Sequence, residues 1–387
     1  MGYRYFPIMK TAASEFRAWS ELDSNIKRKI SPIVELTRGR KIAGKSKAIP
    51  ESEWHSTPGI FGFKRNIDRF VDLFKGQETV ILDATRDDDL SCFEVEQLLS
   101  SQAAYEKWVK FNTDLLADVP GLVPTLIIAP DGNEDAAQYE SNLKGQLAAL
   151  QANFGKVAYR VSMQSDTEFL YDFYLLKSDL ISLTKSGEFF VILDHEFIRQ
   201  GTASLHSVRT SAVINQIRSI VPGARIVVNS TSFPKMVDDV SSHHYELEEY
   251  RLFEILQAST GQDIFYGDYA SVNPMRNDIK GGVGWIPRID FVSDNEQTVY
   301  YRRRRNKIGE REGAGGRTVP VYDEYGPHYI DIAKRVLADE RFVDDGRSWG
   351  VRKIKETAAS NIAGKAPGFW ISVRMEIHLC RLAGKLA

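Results

Sequence analysis

The sequence predicts an α/β protein built on a (β/α)8, TIM-type barrel and followed by a smaller α+β extension. Eight short apolar runs recur up to residue 268, and each of the first seven is followed by a helix-like segment. Strict alternation of this kind is typical of parallel strands with crossover helices, and eight units close a barrel. An open, doubly wound sheet is the alternative, but it usually has a Gly-rich loop after its first strand. The first turn, MKTAASEF, has no such loop.

The eight strand-like runs are apolar and bounded by polar or turn-forming residues, which is typical of strands buried on both faces. They cover residues 3–9, 31–36, 78–85, 122–130, 156–162, 188–194, 224–230 and 262–268. The helix-like segments between them include residues 14–22, 90–100, 104–116, 136–150, 166–183, 204–220 and 244–258. The sequence therefore predicts a barrel over residues 1–271.

The character of the chain changes after residue 271. Two strand-like pieces surround a turn at residues 293–296, and the segment EREGAGGRTV has the composition of a flexible loop. The segments YGPHYIDIAKRVL and ISVRMEIHLCRLAGKL are amphipathic and predict helices. We expect residues 272–387 to form an α+β extension packed on or beside the barrel.

Residues 37–60 are too long and too basic for a simple connection. They carry Arg38, Arg40, Lys41 and two further lysines, with glycines, prolines and Trp54 among them. A long loop after a barrel strand lies over the top of the barrel, where lids and binding loops are usually found. A solvated insertion is the alternative.

Composition excludes several classes of protein. The chain has 50 basic and 52 acidic residues, which argues against a surface built to coat a polyanion. Its only cysteines, Cys92 and Cys380, cannot form a disulfide framework or a cysteine zinc site. No apolar run approaches the ~20 residues that a membrane span needs. With no signal peptide at the N-terminus, we expect a cytoplasmic protein that does not enter membranes.

Charged and polar residues recur where the predicted strands end, and these ends meet at one mouth of a barrel. The candidate catalytic residues are Glu35, Asp83, Asp194, Asp268 and His195, and the candidate substrate-binding residues are Lys10, Arg160, Ser230, Ser232 and Tyr269. Several carboxylates in one concavity repel each other unless a cation compensates, which gives Lys10 and Arg160 a role. Any one of these residues could instead cap a helix or pair across the rim.

Two chemistries suit these residues. Carboxylates could hold Mg²⁺ with water ligands that attack a phosphate ester. Alternatively, a carboxylate or His195 could act as a general base while Lys10 and Arg160 stabilise negative charge. Both point to an anionic ligand such as a phosphorylated small molecule or a nucleotide. The sequence has no HExxH, GxSxG, P-loop or CxxC motif.

The run YYRRRRNK places Arg302, Arg303, Arg304 and Arg305 beside two tyrosines. Arginines and aromatic rings together can bind nucleic acid by phosphate contacts and base stacking. In an extended strand, however, alternate arginines face opposite ways, so only about half could serve one surface. A solvated strand edge that resists unwanted pairing is the alternative.

Four stretches near the ends of the chain form a recognisable pattern: YFPIMKTAASEFRAW and ISPIVEL at the N-terminus, and SWGVRKIKETA and PGFWISVRMEIHLCRLA at the C-terminus. They resemble the Beta protein family of phages and bacterial mobile or defence-associated loci. The resemblance marks Lys10, Glu35, Trp370 and His378 as family-pattern positions, and Ile377 stands where the family tends to have a first histidine of a pair. It implies a phage or antiviral-defence context without an established reaction.

Three functions are compatible with the sequence. The first is a barrel hydrolase or phosphodiesterase acting on a phosphorylated or nucleotide-like ligand. The second is a non-catalytic sensor or adaptor that recognises a phage or host component, with a protein partner from a defence system or a phage. The third is nucleic-acid binding through residues 302–305. An enzyme needs its carboxylates close together around an open cavity, whereas an adaptor tolerates a mouth filled by its own side chains.

Overall fold

Eight parallel strands of this protein form a nearly closed, barrel-like sheet surrounded by helices. The computed structural model describes residues 5–47, 49–129, 132–260, 263–275 and 284–386. Its strands are β1 (Tyr5–Lys10), β2 (Ile33–Leu36), β3 (Val80–Ala84), β4 (Leu122–Pro124), β5 (Lys156–Ser162), β6 (Glu188–Phe197), β7 (Arg225–Thr231), β8 (Ser242–Glu246), β9 (Ile264–Asp268), β10 (Arg288–Val292), β11 (Gln297–Arg302), β12 (Lys307–Glu312) and β13 (Thr318–Tyr322). Each of the eight predicted runs contains a strand, although residues 3, 4, 130 and 262 of those runs lie outside the described part of the chain.

The barrel-like sheet consists of β1 to β7 and β9, in the order β4-β3-β2-β1-β9-β7-β6-β5. Its neighbouring strands run parallel, as the alternating pattern predicted. At the seam, the two end strands are joined by a bridge between Thr125 and Ala158, and the Leu126 N–H donates to the Ala158 carbonyl at 2.8 Å. The sheet therefore nearly closes on itself.

Helices follow most of the barrel strands, and three more lie in the C-terminal region after β13. They are α1 (Ala13–Glu21), α2 (Ser24–Lys27), α3 (Ala43–Ser46), α4 (Phe63–Phe74), α5 (Phe93–Leu99), α6 (Gln102–Leu116), α7 (Ala136–Asn153), α8 (Phe169–Leu175), α9 (Lys177–Ser186), α10 (Ala203–Ile220), α11 (Glu248–Thr260), α12 (Tyr325–Leu337), α13 (Trp349–Ala358) and α14 (Pro367–Lys385). Within the described ranges, none of these helices has the length and apolar character to cross a bilayer.

Alternation along the strands divides the buried side chains into two layers. One set forms a separate apolar cluster inside the sheet: Phe6, Ile8, Ile33, Ile81, Val123, Ala158, Phe190, Ile192, Val227, Phe265 and Tyr269. The other set points outward and packs with the helices in the larger core. This two-residue period decides which polar side chains at the strand ends can reach the mouth.

The remaining strands form two smaller sheets. β10, β11 and β8 pair antiparallel, and β12 pairs with β13 in a hairpin. The predicted strands around the 293–296 turn are confirmed, but two other predictions are wrong. The helix expected from His244 begins at Glu248, because residues 242–246 pair with β11 instead. The expected flexible loop EREGAGGRTV is a connection only at residues 313–317, because its two ends belong to β12 and β13, which pair with each other.

Helix α14 joins the C-terminal segments to the barrel side by packing against α1. Its Glu376 carboxylate accepts hydrogen bonds from the Trp349 N–H at 3.0 Å and from the Gly350 N–H at 2.8 Å, so it caps the start of α13. A Cβ on Gly350 would lie 2.7 Å from the Val373 carbonyl oxygen, which explains why glycine stands there. The boundary predicted between residues 271 and 272 stays a prediction, and residues 276–283 just after it lie outside the described ranges.

The basic loop after β2 is held at both ends. The Gly62 N–H donates to the Arg40 carbonyl at 3.0 Å, and the Ile42 N–H donates to the Ile60 carbonyl at 2.9 Å. Within the loop, the Lys41 ammonium lies 3.4 Å from the centroid of the Trp54 ring, a cation–π contact. These contacts connect the described parts of the loop, residues 37–47 and 49–62, to one another.

Candidate functional site at the barrel mouth

Six polar side chains meet on the inner face of the sheet where its strands end. They are Lys10, Glu35, Asp83, Arg160, Asp194 and Tyr269, and we call them the mouth cluster. Register explains part of the grouping, because Lys10 pairs with Glu35 and Glu35 pairs with Asp83 across adjacent parallel strands. The sequence predicted all six as site residues.

Arg160 is the centre of the mouth cluster. Its Nη1 donates to Glu35 Oε2 at 2.8 Å and to Asp83 Oδ2 at 2.9 Å, and its Nη2 donates to Asp194 Oδ2 at 2.7 Å. The three carboxylates are no more than 4% exposed and the guanidinium is 9% exposed. One cation therefore gathers three buried anions that would otherwise repel each other.

Neighbouring groups make further contacts with these carboxylates. Lys10 Nζ lies 3.2 Å from Glu35 Oε1, and the Tyr269 hydroxyl donates to Asp194 Oδ2 at 2.6 Å. The other oxygen of Asp83 accepts from the Thr125 hydroxyl at 2.8 Å, and that of Asp194 accepts from Asn229 Nδ2 at 2.8 Å. Sequence reasoning missed Thr125 and Asn229, although both occupy strand-end positions.

Three groups of the mouth cluster, those of Glu35, Arg160 and Tyr269, have shifted pKa values. Burial alone would raise the pKa of Glu35, but the nearby Lys10 and Arg160 charges lower it to about 2. Burial opposes the charge on Arg160, but the surrounding Tyr269, Asp194, Glu35 and Asp83 raise its pKa well above the usual value. Burial and the Asp194 charge raise the pKa of Tyr269 well above its usual value. These three groups do not exchange protons near neutral pH.

The cluster offers little to a metal ion. Within the described ranges, no group of three or more His, Cys, Asp or Glu side chains is arranged to hold one. The carboxylate oxygens that Mg²⁺ would use are taken by Arg160, a guanidinium that stays charged. The residues present therefore do not fit the Mg²⁺ that the sequence suggested.

Asp268 lies on the opposite face of its strand, away from the mouth cluster. Phe265 and Tyr269 point into the barrel, so Asp268 points outward toward α14. It accepts hydrogen bonds from the hydroxyls of Tyr5 and Tyr266, each at 2.8 Å, and it pairs with His378 Nε2 at 2.5 Å. Burial would raise the pKa of Asp268, but the contact with His378 outweighs it and lowers the pKa.

His378 completes a chain of polar contacts between α14 and the barrel. Its Nδ1 lies 2.7 Å from Ser271 Oγ, which in turn lies 3.1 Å from Thr298 Oγ1. Ser271, His378 and Asp268 have the order of a nucleophile, base and acid, but all three are at most 1% exposed. These contacts link α14 to the barrel, and the catalytic role predicted for Asp268 stays a prediction. Trp370 stacks on Tyr329 in the same helix packing.

The structure places His195, Ser230 and Ser232 outside the mouth cluster. His195 is buried on the outer side of β6, where Thr210 Oγ1 lies 2.9 Å from its Nε2, and burial beside His206 lowers its pKa to about 4. Ser230 is buried opposite Asp268 in the register of β7 and β9. The Ser232 hydroxyl accepts from the Glu248 N–H at 3.2 Å and so caps α11.

Glu249, a residue that sequence reasoning missed, is buried near Ser232 and Asp268, outside the mouth cluster. Burial and the Asp268 charge raise its pKa to about 7, and its Oε1 has no hydrogen-bond partner in the described structure. A raised pKa means that the folded state binds the proton more tightly than the unfolded state. The resulting stability is present below about pH 4.5 and is lost as the pH rises through about 7, on the order of 3 kcal/mol at most.

We therefore expect Glu249→Gln to remove this pH dependence. Glutamine is neutral at every pH, so the variant's midpoint of thermal unfolding should change less than that of the parent between pH 5 and pH 8. Glu106→Gln, at an exposed position of helix α6, is the control. An unchanged pH profile in Glu249→Gln would contradict the assignment.

The four arginines of residues 302–305 have partners within the protein. Arg302 and Arg304 both pair with Asp239, Arg303 Nη1 lies 2.8 Å from Asp331 Oδ2, and Arg305 stacks on Tyr325 at 4.0 Å. Arg302 and Arg304 thus share one partner while Arg303 has another. Strand β11 ends at Arg302, so the alternation expected of an extended strand does not extend to Arg303, Arg304 and Arg305.

Comparison with known proteins decides the family. The model of the Beta protein family matches residues 5–384. The chain belongs to the Beta protein family. A relative, Protein beta of Enterobacteria phage P4, is 25% identical over 381 residues, which cover 97% of this chain and 92% of that protein. The resemblance predicted from both ends of the sequence is confirmed.

The family-pattern positions fall in two places. Lys10 and Glu35 belong to the mouth cluster, where they form an ion pair. Trp370 and His378 belong to α14, and His378 bonds the barrel through Asp268. In this member of the Beta protein family, the C-terminal helix α14 also packs against α1 and β1, so the two ends of the matched region are in contact.

Proposed function

We propose that this chain is a non-catalytic sensor or adaptor built on a TIM-type (β/α)8 barrel, and that it recognises a phage or host component. One observation carries the proposal: the carboxylates of the mouth cluster are already paired within the protein. Arg160 donates hydrogen bonds to one oxygen of each of Glu35, Asp83 and Asp194. A catalytic carboxylate must be free to contact a substrate, whereas a sealed ion network gives loops above it a rigid base. The phage relative supports the context.

Protonation also favours binding over catalysis. General acid–base catalysis works best when the pKa of the acting group lies near the working pH. Glu35, with a pKa of about 2, and Tyr269, with a pKa far above its usual value, cannot exchange protons readily at neutrality.

The loop of residues 37–62 is the recognition element that we favour. It carries five basic residues against Glu51 and Glu53, and both of its ends are hydrogen-bonded to each other. A net-positive loop whose ends are hydrogen-bonded to each other favours an acidic partner by electrostatic complementarity and pre-organisation. The partner would therefore be a phage or host component with an acidic face.

A cross-linking experiment tests this proposal. In phage-infected cells, a partner should cross-link to the parent protein and be lost from the double variant Lys45→Glu and Lys47→Glu. The matched control, Lys64→Glu with Lys110→Glu, changes two exposed lysines on helices α4 and α6 and should keep the partner. Equal capture by the loop variant and the control would contradict the proposal.

A hydrolase or phosphodiesterase acting on a phosphorylated or nucleotide-like ligand is the second candidate. It is favoured by the closeness of Glu35 and Asp83, each bonded to the same Arg160 nitrogen. Under this hypothesis, purified protein should hydrolyse a phosphodiester such as bis-p-nitrophenyl phosphate and Asp194→Asn should not. A ligand at 100 times its dissociation constant would also stabilise the fold by ~2.7 kcal/mol in a thermal-shift screen. If the parent protein and Asp194→Asn hydrolyse the phosphodiester at the same low rate, the hydrolase hypothesis fails and the adaptor function is retained.

A further inference from the structure

A cleft on the surface of the protein collects more arginines than carboxylates. It has a volume of about 300 Å³ and lies between the loop before β8, the end of β11 and helix α12. Its lining residues are Asp239, Val240, Ser241, Arg302, Arg303, Arg304, Asp331 and Arg335. We call it the arginine cleft. Four arginines face two aspartates, which leaves a surplus of two positive charges.

The arginines of the cleft are held in position by contacts within the protein. Arg302 donates from Nη1 to the Asp238 carbonyl at 2.8 Å, and its side chain is only 13% exposed. Arg303 is oriented by Asp331 at 2.8 Å, and the guanidinium of Arg335 lies 4.8 Å from the centroid of the Tyr301 ring. Within the described part of the chain, Arg335 pairs with no carboxylate, so its donors remain available.

We propose that the arginine cleft binds a phosphate group carried by a small molecule. A phosphate monoester carries between −1.5 and −2 charges at neutral pH and presents three acceptor oxygens, so it matches the charge surplus. Guanidinium groups recognise such oxygens through two parallel N–H bonds. The volume lies at the small end of ligand sites, which favours a nucleotide-sized or smaller anion over a nucleic-acid strand. This site goes beyond the adaptor function, because none of its residues belongs to the mouth cluster.

Isothermal titration of the full chain with inorganic phosphate, adenosine 5′-monophosphate and adenosine tests the proposal. We expect the two phosphates to bind and to compete, and adenosine not to bind. Equal affinities would identify free phosphate as a sufficient ligand, and tighter binding of the nucleotide would add contacts to its sugar or base. Failure of both phosphates to bind at millimolar concentration would overturn the proposal. In a further titration, tighter binding of an oligonucleotide that has internal phosphodiesters but no terminal phosphate would also overturn it.

Substitutions that are expected to change the affinity for phosphate in opposite directions make the test specific. Arg335→Gln and Arg303→Gln should each weaken phosphate binding about tenfold, because a hydrogen bond to a charged group is lost. Asp331→Asn should strengthen binding, because the asparagine oxygen can still accept the hydrogen bond that orients Arg303 while the negative charge that competes with phosphate is removed. Arg311→Gln, in the exposed strand β12, is the matched control and should bind as the parent does. Binding that is the same in Arg335→Gln as in Arg311→Gln, or weaker in Asp331→Asn, would overturn the proposal.

Discussion

Replacing Arg160 by methionine should destabilise the protein by about 3–5 kcal/mol at pH 7, the usual effect of removing one partner from a buried ion pair. The variant leaves the carboxylates of Glu35, Asp83 and Asp194 buried without the cation that holds them. Methionine retains much of the side-chain volume, so lost packing contributes little. Urea unfolding followed by circular dichroism measures the change.

Two further variants separate charge from packing. Arg225→Met makes the same substitution at the other end of a barrel strand, where the half-exposed side chain pairs with Glu188, and should lose no more than about 1 kcal/mol. Adding Glu35→Gln and Asp83→Asn to Arg160→Met should restore part of the stability, because two of the unpaired charges are removed. If Arg160→Met is as stable as Arg225→Met, the buried network does not hold the mouth.

Replacing His378 by leucine should produce the second large loss of stability, again about 3–5 kcal/mol. His378 is fully buried and pairs with Asp268, so leucine leaves that carboxylate with only its hydroxyl and backbone donors. The loss should loosen α14 from the barrel, and limited proteolysis should then cleave the C-terminal region sooner. Thermal unfolding and the proteolysis rate are the measurements.

The control for this prediction is His244→Leu on strand β8, where the histidine is exposed and its loss should change stability little. The double variant His378→Leu with Asp268→Asn should be more stable than His378→Leu alone, because no buried charge remains. A double variant that is no more stable than the single one would show that the pair is not an electrostatic link.

The sequence carried enough information to predict the strands but not which way their side chains point. All eight strands are apolar on both faces, as in other covered parallel sheets, so alternation of polar and apolar residues does not mark the inner face. The side chains of Lys10, Glu35 and Asp83 point into the barrel. Asp268 and Ser230 occupy the alternate positions of their strands, so they point outward. Counting in twos from Phe265 would have placed Tyr269 inward and Asp268 outward, but only the fold shows that Phe265 points inward.

Long-range contacts explain the other residues that the sequence left unassigned. Glu376 and His378 are separated from their partners by 26 to 110 residues along the chain. Both residues lie in the segment PGFWISVRMEIHLCRLA, which resembles the family. Their roles as a helix cap and a helix anchor depend on α14 lying against α13 and the barrel. Strand β8 was missed for the same reason, since its partner β11 comes more than 40 residues later.

The central claim is that the mouth cluster is a closed ion network in which the Glu35 carboxylate is not a proton donor at neutral pH. The most direct test is an NMR titration of the Glu35 side-chain carboxyl carbon in selectively labelled protein, assigned by its absence in Glu35→Gln. With a pKa of about 2, the Glu35 signal should stay in its ionised position from pH 8 down to pH 4. A titration midpoint between pH 5 and pH 8 would contradict the claim and would make Glu35 a candidate general acid of a barrel hydrolase.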